Sequence, residues 1–502
     1  MARRVLAALL ALAVPLASAD TCSAVQTAAP SVQVSYPLSL AYTSESKEYW
    51  STTCSALKPT CILFPSSAAE VAAIVDILRT NTDKFAIKSG GHNPNDYFAS
   101  IQGGPLISTS KLNHLLLDQQ TGIVRMGPGH RWDEVAEALD GSGWGVVGGR
   151  VGNVGVGGYM LGGGLSFQSA EHGWAANNVL SYEVVLADGS IVTASPTSNP
   201  DLFRALKGGG NNFGIVTSFT VQAHPLDHDV WGGMLSIPST PSNDEKILQA
   251  IHDFTHNADP KAAIVPTKEL VLLNLVEIWV FLIYYDGPDP GDVFKPFTSL
   301  FPTVNTCHRQ SFAKLVKSNN AIVLKGVAYI ISTESLPLPK PSETGNGPSS
   351  MDLLRQVNDI FEAKMRSVIL VPDLIASLGL QPYSKSFAQK AIDKGGDLIA
   401  MDADVDRILI VVNTSFALHA HYNVVAAAVK AFYDEVRQLV LDLIGDGFVD
   451  ADTYLPLFAN DGFYQQDYWG RLKPASRALA QSVAADVDPT GFFRDRTGGW
   501  KP

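Results

Sequence analysis

Positive charge is short in this chain. Lys and Arg number 37 against 49 Asp and Glu in 502 residues, a formal net charge of −12. That balance argues against a nucleic-acid or anionic-membrane partner, since either wants a basic surface. Cysteine is scarce too: Cys22, Cys54, Cys61 and Cys307 complete the set, and none form Cys-x-x-Cys, so a zinc cluster of the usual spacing is not expected. No glycine run leads into Gly-Lys-Ser/Thr, which excludes a P-loop, and the absence of Gly-x-Ser-x-Gly and His-Glu-x-x-His weakens hydrolase readings. Gly-x-Gly-x-x-Gly fails as well, because Gly155 and Gly157 would need glycine where Met160 stands. Beyond the N-terminus no stretch holds about 18 uninterrupted apolar residues, the length of a membrane span.

Composition bounds the rest. Hydrophobic residues are 46% and charged ones 17%, which is globular, and the length predicts two or more domains. Residues 1–19 read as a cleaved secretory signal: Arg3 and Arg4, an apolar core from Val5 to Leu16, then Ala17-Ser18-Ala19. A mature protein outside the cytosol is expected. Some cysteines should pair there, and a bridge among the three near the N-terminus would pin the mature end; four cysteines allow three complete pairings, which spacing does not choose between. Asn413-Thr414-Ser415 is a glycosylation sequon, expected to make the chain a glycoprotein, although the apolar run before it also suits a buried strand.

Glycine, by contrast, is plentiful and clustered. Lys88-Ser89-Gly90-Gly91-His92-Asn93 follows Phe85–Lys88, which reads as a buried strand. Paired glycines let backbone N–H groups turn toward one point, a geometry suited to pyrophosphate. About sixty residues on, nine of the residues from 148 to 164 are glycine. So exposed a backbone costs ordering entropy, and close approach of a large flat or phosphorylated ligand explains it. The interspersed Val154, Val156, Met160 and Leu161 exclude a polar linker. A third cluster is Gly208-Gly209-Gly210-Asn211-Asn212-Phe213-Gly214.

Between these lie alternating elements. Ser67-x-x-Glu70 is a capping box before a helix with Val71, Ile74, Val75 and Leu78 on one face. Helices are expected at Asp133–Leu139 and Pro200–Leu206, and a hairpin about Asp188-Gly189 joining Tyr182–Leu186 to Ser190–Ala194. A strand should run from Ile215 to Val221. Farther on, Val271–Tyr285 is strand-rich, 335–350 reads as a loop, Ile408–Val412 as a buried strand, and Val424–Leu443 as a long helix; a short helix sits near Ala475–Ala484.

Lys-x-Gly-Gly-His at 88–92, Val-Gly-Val-Gly-Gly-x-x-x-Gly-Gly-Gly at 154–164, Ala-Asp-Gly at 187–189 and Lys-Gly-Gly-Gly-x-Asn-Phe-Gly-Ile-Val at 207–216 resemble, in order and spacing, the PCMH-type FAD-binding domain of the vanillyl-alcohol-oxidase type. The tail, Asp488-Pro489-x-Gly491-Phe492 with Gly498-Gly499-Trp500-Lys501, is similar to that of the berberine-bridge-enzyme-like branch and its secreted fungal members. The resemblance implies an α+β fold: a two-part FAD-binding domain (20–226, core about 57–226), a substrate-binding domain of antiparallel sheet covered by helices (227–445), and a C-terminal segment returning to the FAD domain (446–502).

It also implies roles. His92 stands where the family bonds covalently to the flavin 8α-methyl. Ser89, Gly90, Gly91 and Asn93 would line the pyrophosphate, and Gly155, Gly157 and Gly158 would pass beside the cofactor. Gly214 and Val216 would lie near the adenine, and Val154 falls at the position governing oxygen access. Val151 replaces the cysteine that makes a second covalent link in many members, so attachment through His92 alone is expected. Tyr159 replaces a histidine common in the family. In the tail, Tyr454, Asn460 and Tyr468 are the candidate catalytic residues, with Tyr464 and Gln466 nearby, and Asn460-Asp461 resembles an active-site pair. His419 and His421, like Glu277 and Trp279, alternate as on a strand face.

The function so implied is a secreted, monomeric FAD-linked oxidase. It would take hydride from a small alcohol or secondary-metabolite intermediate to flavin N5 and pass electrons to O2, giving H2O2. Its partners would be a small-molecule substrate and O2, with no nucleic acid and no membrane. A carbohydrate oxidase is the alternative enzyme, disfavoured by the missing cysteine; a flavin-binding protein with little turnover is the alternative of another class.

Overall fold

The computed structural model describes residues 20–257, 259–271, 276–338 and 348–502. The expected signal, 1–19, lies outside the described residues, as do 339–347 of the expected loop; residues 335–337 of that loop instead finish the strand Ala328–Pro337.

The first layer is a small sheet. Ile62–Phe64, Leu106–Ser108 and Ala86–Lys88 run parallel with Leu106–Ser108 in the middle, and Gln33–Ser35 joins antiparallel at the edge. Helix Ala68–Arg79 packs Val71, Ile74, Val75 and Leu78 into its core. Ser67 Oγ accepts from the Glu70 N–H, but Glu70 Oε2 accepts from the Ser66 N–H, so the return arm of the capping box closes one residue early. A Cys22–Cys61 disulfide, Cα atoms 6.0 Å apart, ties the first helix to this sheet; Cys54 and Cys307 are free thiols. The glycine loop at 89–91 thus leaves the carboxyl end of a parallel strand, where open sheets expose backbone groups to ligands.

The second layer is an antiparallel sheet in the order Leu115–Asp118, Ile123–Met126, Ile215–Gln222, Val179–Val185, Ile191–Ala194. Its last pair is the hairpin expected about Asp188-Gly189. Helix Trp132–Leu139 buries Trp132, Val135 and Leu139 with Val124, Met126 and Phe219.

The third is a large antiparallel sheet in the order Val304–Asn305, Val230–Pro238, Val276–Tyr285, Ala262–Val271, Ile375–Tyr383, Arg407–Phe416, Ala328–Pro337, with His308–Gln310 also paired to Val230–Pro238. Helices Pro241–Asn257, Ser350–Arg366 and Tyr422–Gly445 cover one face, packing Ile251, Phe361 and Phe432 against Trp279, Leu378 and Ile410. Directly opposed residues on neighbouring strands share a face. Glu269 opposes Ser377, Ser377 opposes Asn413, and Asn413 opposes Ile331, so these four form a row across four strands on the face away from the helices.

That row relocates the sequon. Asn413 sits in a central strand with its Oδ1 buried and, among the described residues, without a hydrogen-bond partner, not on an exposed loop. His419 and His421 do not alternate on a strand: Arg407–Phe416 ends before them, and they form a 3-10 turn feeding helix Tyr422–Gly445. Glu277 and Trp279 do lie on a strand, as structural residues; Glu277 pairs with Arg366 at 2.6 Å and Trp279 donates to Asp244 at 2.8 Å.

The tail returns across all three layers. Gln466 Nε2 donates to Thr333 O at 2.6 Å on the large sheet, Tyr468 Oη donates to Gly208 O at 2.7 Å, and Arg496 Nη1 donates to Leu78 O at 2.8 Å on the first layer.

Candidate active site

The three glycine loops meet. A Cβ on Gly90 would stand 2.4 Å from Gly155 N, and one on Gly155 would stand 2.2 Å from Gly90 N, so the first two loops touch backbone to backbone. Ser89 joins them, its Oγ donating to Pro128 O at 2.6 Å and accepting from the Gly157 N–H at 3.1 Å. The third loop is tied to the second by the Gly208 and Gly210 N–H groups, both donating to Leu161 O at 3.1 Å.

Together they wall a cavity of about 350 Å3 that Ile331 of the large sheet also lines. Ser89, Gly90, Gly91, His92, Asn93, Val154, Gly155, Gly157, Gly158, Tyr159, Gly214 and Val216 all line it. Val151, in the place of the absent cysteine, lines it too. The walls fit FAD. Gly158 lies in the first turn of helix Val156–Leu161 without left-handed backbone, yet a Cβ there would meet no atom of the described residues across the fold within 4 Å. An ordinary side chain would project into the very space that a flat ligand needs.

His92 is half-buried and stacks on Trp50, ring centroids 4.9 Å apart, which stacks on Tyr329 at 4.1 Å. Its Nε2 lies 3.0 Å from Asn153 Oδ1. Burial pulls its pKa down to about 4, with Arg131 adding to the effect against the Asn153 contact, so the ring is neutral at physiological pH. With Asn153 Oδ1 as acceptor, Nε2 carries the proton and Nδ1 keeps its lone pair. Tyr159 is engaged elsewhere: its hydroxyl donates to Gly148 O at 2.9 Å, its ring meets Trp132 edge-on, and burial pushes its pKa up.

Of the three tail residues expected to be catalytic, Asn460 and Tyr468 reach the cavity. Asn460 Nδ2 donates to Tyr159 O at 3.2 Å and Oδ1 accepts from Gly164 N at 3.0 Å, so its amide fastens the tail to the second loop. Tyr468 gives its hydroxyl to Gly208 O, and burial pushes its pKa well up, which disfavours it as a base. Tyr454 stands apart from the cavity. It is half-buried, with its hydroxyl donating to Ile399 O at 2.6 Å and Lys473 over its ring. Gln466 is a buried strut to Thr333, and Tyr464 is exposed.

Other residues carry the charge. Arg150 and Asp461 are the only charged side chains among the lining residues, and Gln381 stands between them. Arg150 Nη2 donates to Gln381 Oε1 at 2.6 Å, and Gln381 Nε2 donates to Asp461 Oδ2 at 3.2 Å. Burial pushes the Asp461 pKa up while Arg150 and the Gln381 hydrogen bond draw it back; burial draws the Arg150 pKa down. Glu269, on the same sheet face as the cavity-lining Ile331, accepts from Ser377 Oγ at 3.0 Å, and burial pushes its pKa up to about 7. Sequence reasoning gave Arg150, Gln381 and Glu269 no role. A lone cation inside a glycine-rich run was the one signal for Arg150.

A family model described as an FAD binding domain matches residues 59–195. An FAD-linked oxidoreductase of Arthroderma benhamiae, itself uncharacterized, is 40% identical over 477 residues, 94% of this chain and 93% of that protein. The bifunctional solanapyrone synthase of Alternaria solani is 41% identical over 456 residues, 88% of this chain and 81% of its own length. Among solved structures, Physcomitrella patens BBE-like 1 matches with a TM-score of 0.74 and 17% identity over 96% of this chain and 99% of its own, which shows a shared fold.

Proposed function

The chain belongs to a family of FAD-linked oxidoreductases and shares its fold with berberine-bridge-enzyme-like proteins, and from that premise we propose that it is an oxidase of a small organic alcohol, exported from the cell and active as a monomer. FAD, when bound, supplies the hydride acceptor and, through its reaction with O2, the route to H2O2. The observation that carries the reading is the convergence of His92 and the three glycine loops on one cavity that also holds a carboxylate, Asp461.

Each residue then has a task. The Ser89–Gly91 backbone and the Gly155–Gly158 turn hold the cofactor, and Gly158 leaves room for its ring system. His92 is the single tether, through Nδ1, because Asn153 keeps the proton on Nε2 and Val151 offers no sulfur. Asp461 accepts the substrate hydroxyl proton. Its pKa is raised by burial toward the working range of a general base, and neither tyrosine of the tail that hydrogen-bonds a backbone carbonyl competes for that task. Asn460 positions Asp461 by anchoring the preceding residue to Tyr159 O. Val154 leaves O2 a way past a modest side chain. The Cys22–Cys61 bridge favours an oxidising compartment. A relative named as a synthase favours a discrete small molecule over a sugar polymer.

The test is to express the protein with ample riboflavin, score H2O2 release over a panel of alcohols in air, and map the flavin by peptide mass spectrometry. Peroxide and a flavinylated peptide containing His92 are expected, with the adduct gone in His92→Ala. A yellow protein that releases no peroxide with any donor refutes the oxidase assignment; a full adduct in His92→Ala refutes the tether.

A further inference from the structure

Arg150 and Asp461 share a cavity without touching. Opposite charges in a poorly solvated place gain most by direct, bidentate contact. Here the Gln381 amide is interposed, taking one Arg150 N–H and giving one of its own to Asp461. A guanidinium has five N–H donors, and the Gln381 bond is the one side-chain hydrogen bond the structure gives Arg150 among the described residues. The half-buried guanidinium therefore keeps donors facing the cavity. Leaving a cation so poorly matched is unfavourable unless something else brings the negative charge.

The carboxylate side is arranged to match. Asp461 follows Asn460, whose amide is fixed at both ends to the second glycine loop, so its carboxylate is carried on a clamped backbone. Gln381 lies on the strand Ile375–Tyr383, on the same face as Ser377 and the cavity-lining Ile331. The substrate side of the cleft thus offers one cation and one anion, with apolar Ile331 and Phe458 beside them.

We propose that the substrate carries an anionic oxygen, a carboxylate or an enolate, which Arg150 binds while Asp461 faces the hydroxyl to be oxidised. This rests on the oxidase reading for the role of Asp461, but the recognition half stands or falls by binding alone. An acidic substrate reaching a protein of net charge −12 meets general repulsion, so a fixed cation inside the cavity is the feature that makes its capture selective.

The experiment is equilibrium dialysis of the flavin-loaded protein with benzoate, its neutral isostere benzamide, and 4-nitrophenolate, in wild type, Arg150→Met and Arg150→Lys. Wild type should bind at least one anion tenfold or more tighter than benzamide. Arg150→Met should lose that preference, Arg150→Lys should keep most of it, and both should retain wild-type flavin content. Preference for benzoate assigns the oxygen to a carboxylate, preference for nitrophenolate to an enolate-like group. Benzamide binding as tightly as both anions overturns the proposal. So does unchanged anion binding in Arg150→Met, or flavin loss from that variant, which would give Arg150 to the cofactor. Binding is read without turnover, so a protein that binds anions but releases no peroxide sinks the oxidase reading and the Asp461 role with it, and leaves the Arg150 recognition half intact.

Discussion

Replacing Glu269 by Gln should stabilise the protein above neutral pH and do little in acid. Glu269 is half-buried, and its carboxyl is moved from the ordinary 4.5 to about 7 by burial, against the hydrogen bond from Ser377. A carboxyl whose folded pKa is raised holds its proton in the fold while the unfolded chain has released it. Stability is therefore fully present below about pH 4.5 and is lost as pH rises to about 7. The full displacement of about 2.5 pH units, at about 1.36 kcal/mol each, is about 3.4 kcal/mol; partial hydration of the carboxylate reduces this to about 2 kcal/mol. Gln keeps the shape and an acceptor for Ser377 but has no charge to bury. At roughly 2–4 °C per kcal/mol for a unit of about two hundred residues, the Gln variant should melt about 4–8 °C above wild type at pH 8. At pH 4.5 the two should coincide. Thermal melts followed by far-ultraviolet circular dichroism across that range check it. A difference that is constant with pH, or a Gln variant less stable at pH 8, would refute the placement of an uncompensated carboxyl on this face.

Two further substitutions separate the cofactor from its scaffold. Gly158→Leu should leave the fold intact, because the position is helical and its Cβ meets no atom of the described residues across the fold, yet bring flavin content in purified protein close to zero. Gly155→Ala, with its Cβ 2.2 Å from Gly90 N, should instead destabilise the two loops themselves and lower Tm as well as flavin content; equal flavin loading in the Leu variant would show that the ring system lies elsewhere. Asp461→Asn should lower kcat by about 10²–10⁴. It should also remove the acid limb of the kcat/KM profile, a limb that in wild type rises with pH through a midpoint above the ordinary 3.8 because burial raises that carboxyl. A profile unchanged in shape in the Asn variant would assign the base to another group.

The glycine loops of the cleft were legible because their constraints are local. Three turns that bring backbone against backbone, or backbone against a flat ligand, tolerate only glycine, and Gly90 against Gly155 shows the reason in a single contact. The hairpin at Asp188-Gly189 and helix Ala68–Arg79 were legible on the same terms, from turn chemistry and from one apolar face. The substrate side was not, because its residues meet only through the fold. Arg150 leaves the glycine run, Gln381 comes from the large sheet and Asp461 from the tail, and no spacing in the chain joins them. Tyrosine misled for a related reason. Tyr454 and Tyr468 look like acid–base groups in a sequence, but each hydroxyl donates to a backbone carbonyl, so each serves to hold a loop. His419 and His421 misled by periodicity, since alternation over three residues suits the entry to helix Tyr422–Gly445 as well as a strand. The asymmetry has a chemical consequence. A cofactor common to a family is held by backbone, which leaves a sequence signature. A substrate particular to one member would be held, on our proposal, by side chains from three separate segments, and there Gln381 matters because it bonds a cation and a carboxylate that do not bond each other, which would leave both available to a third party.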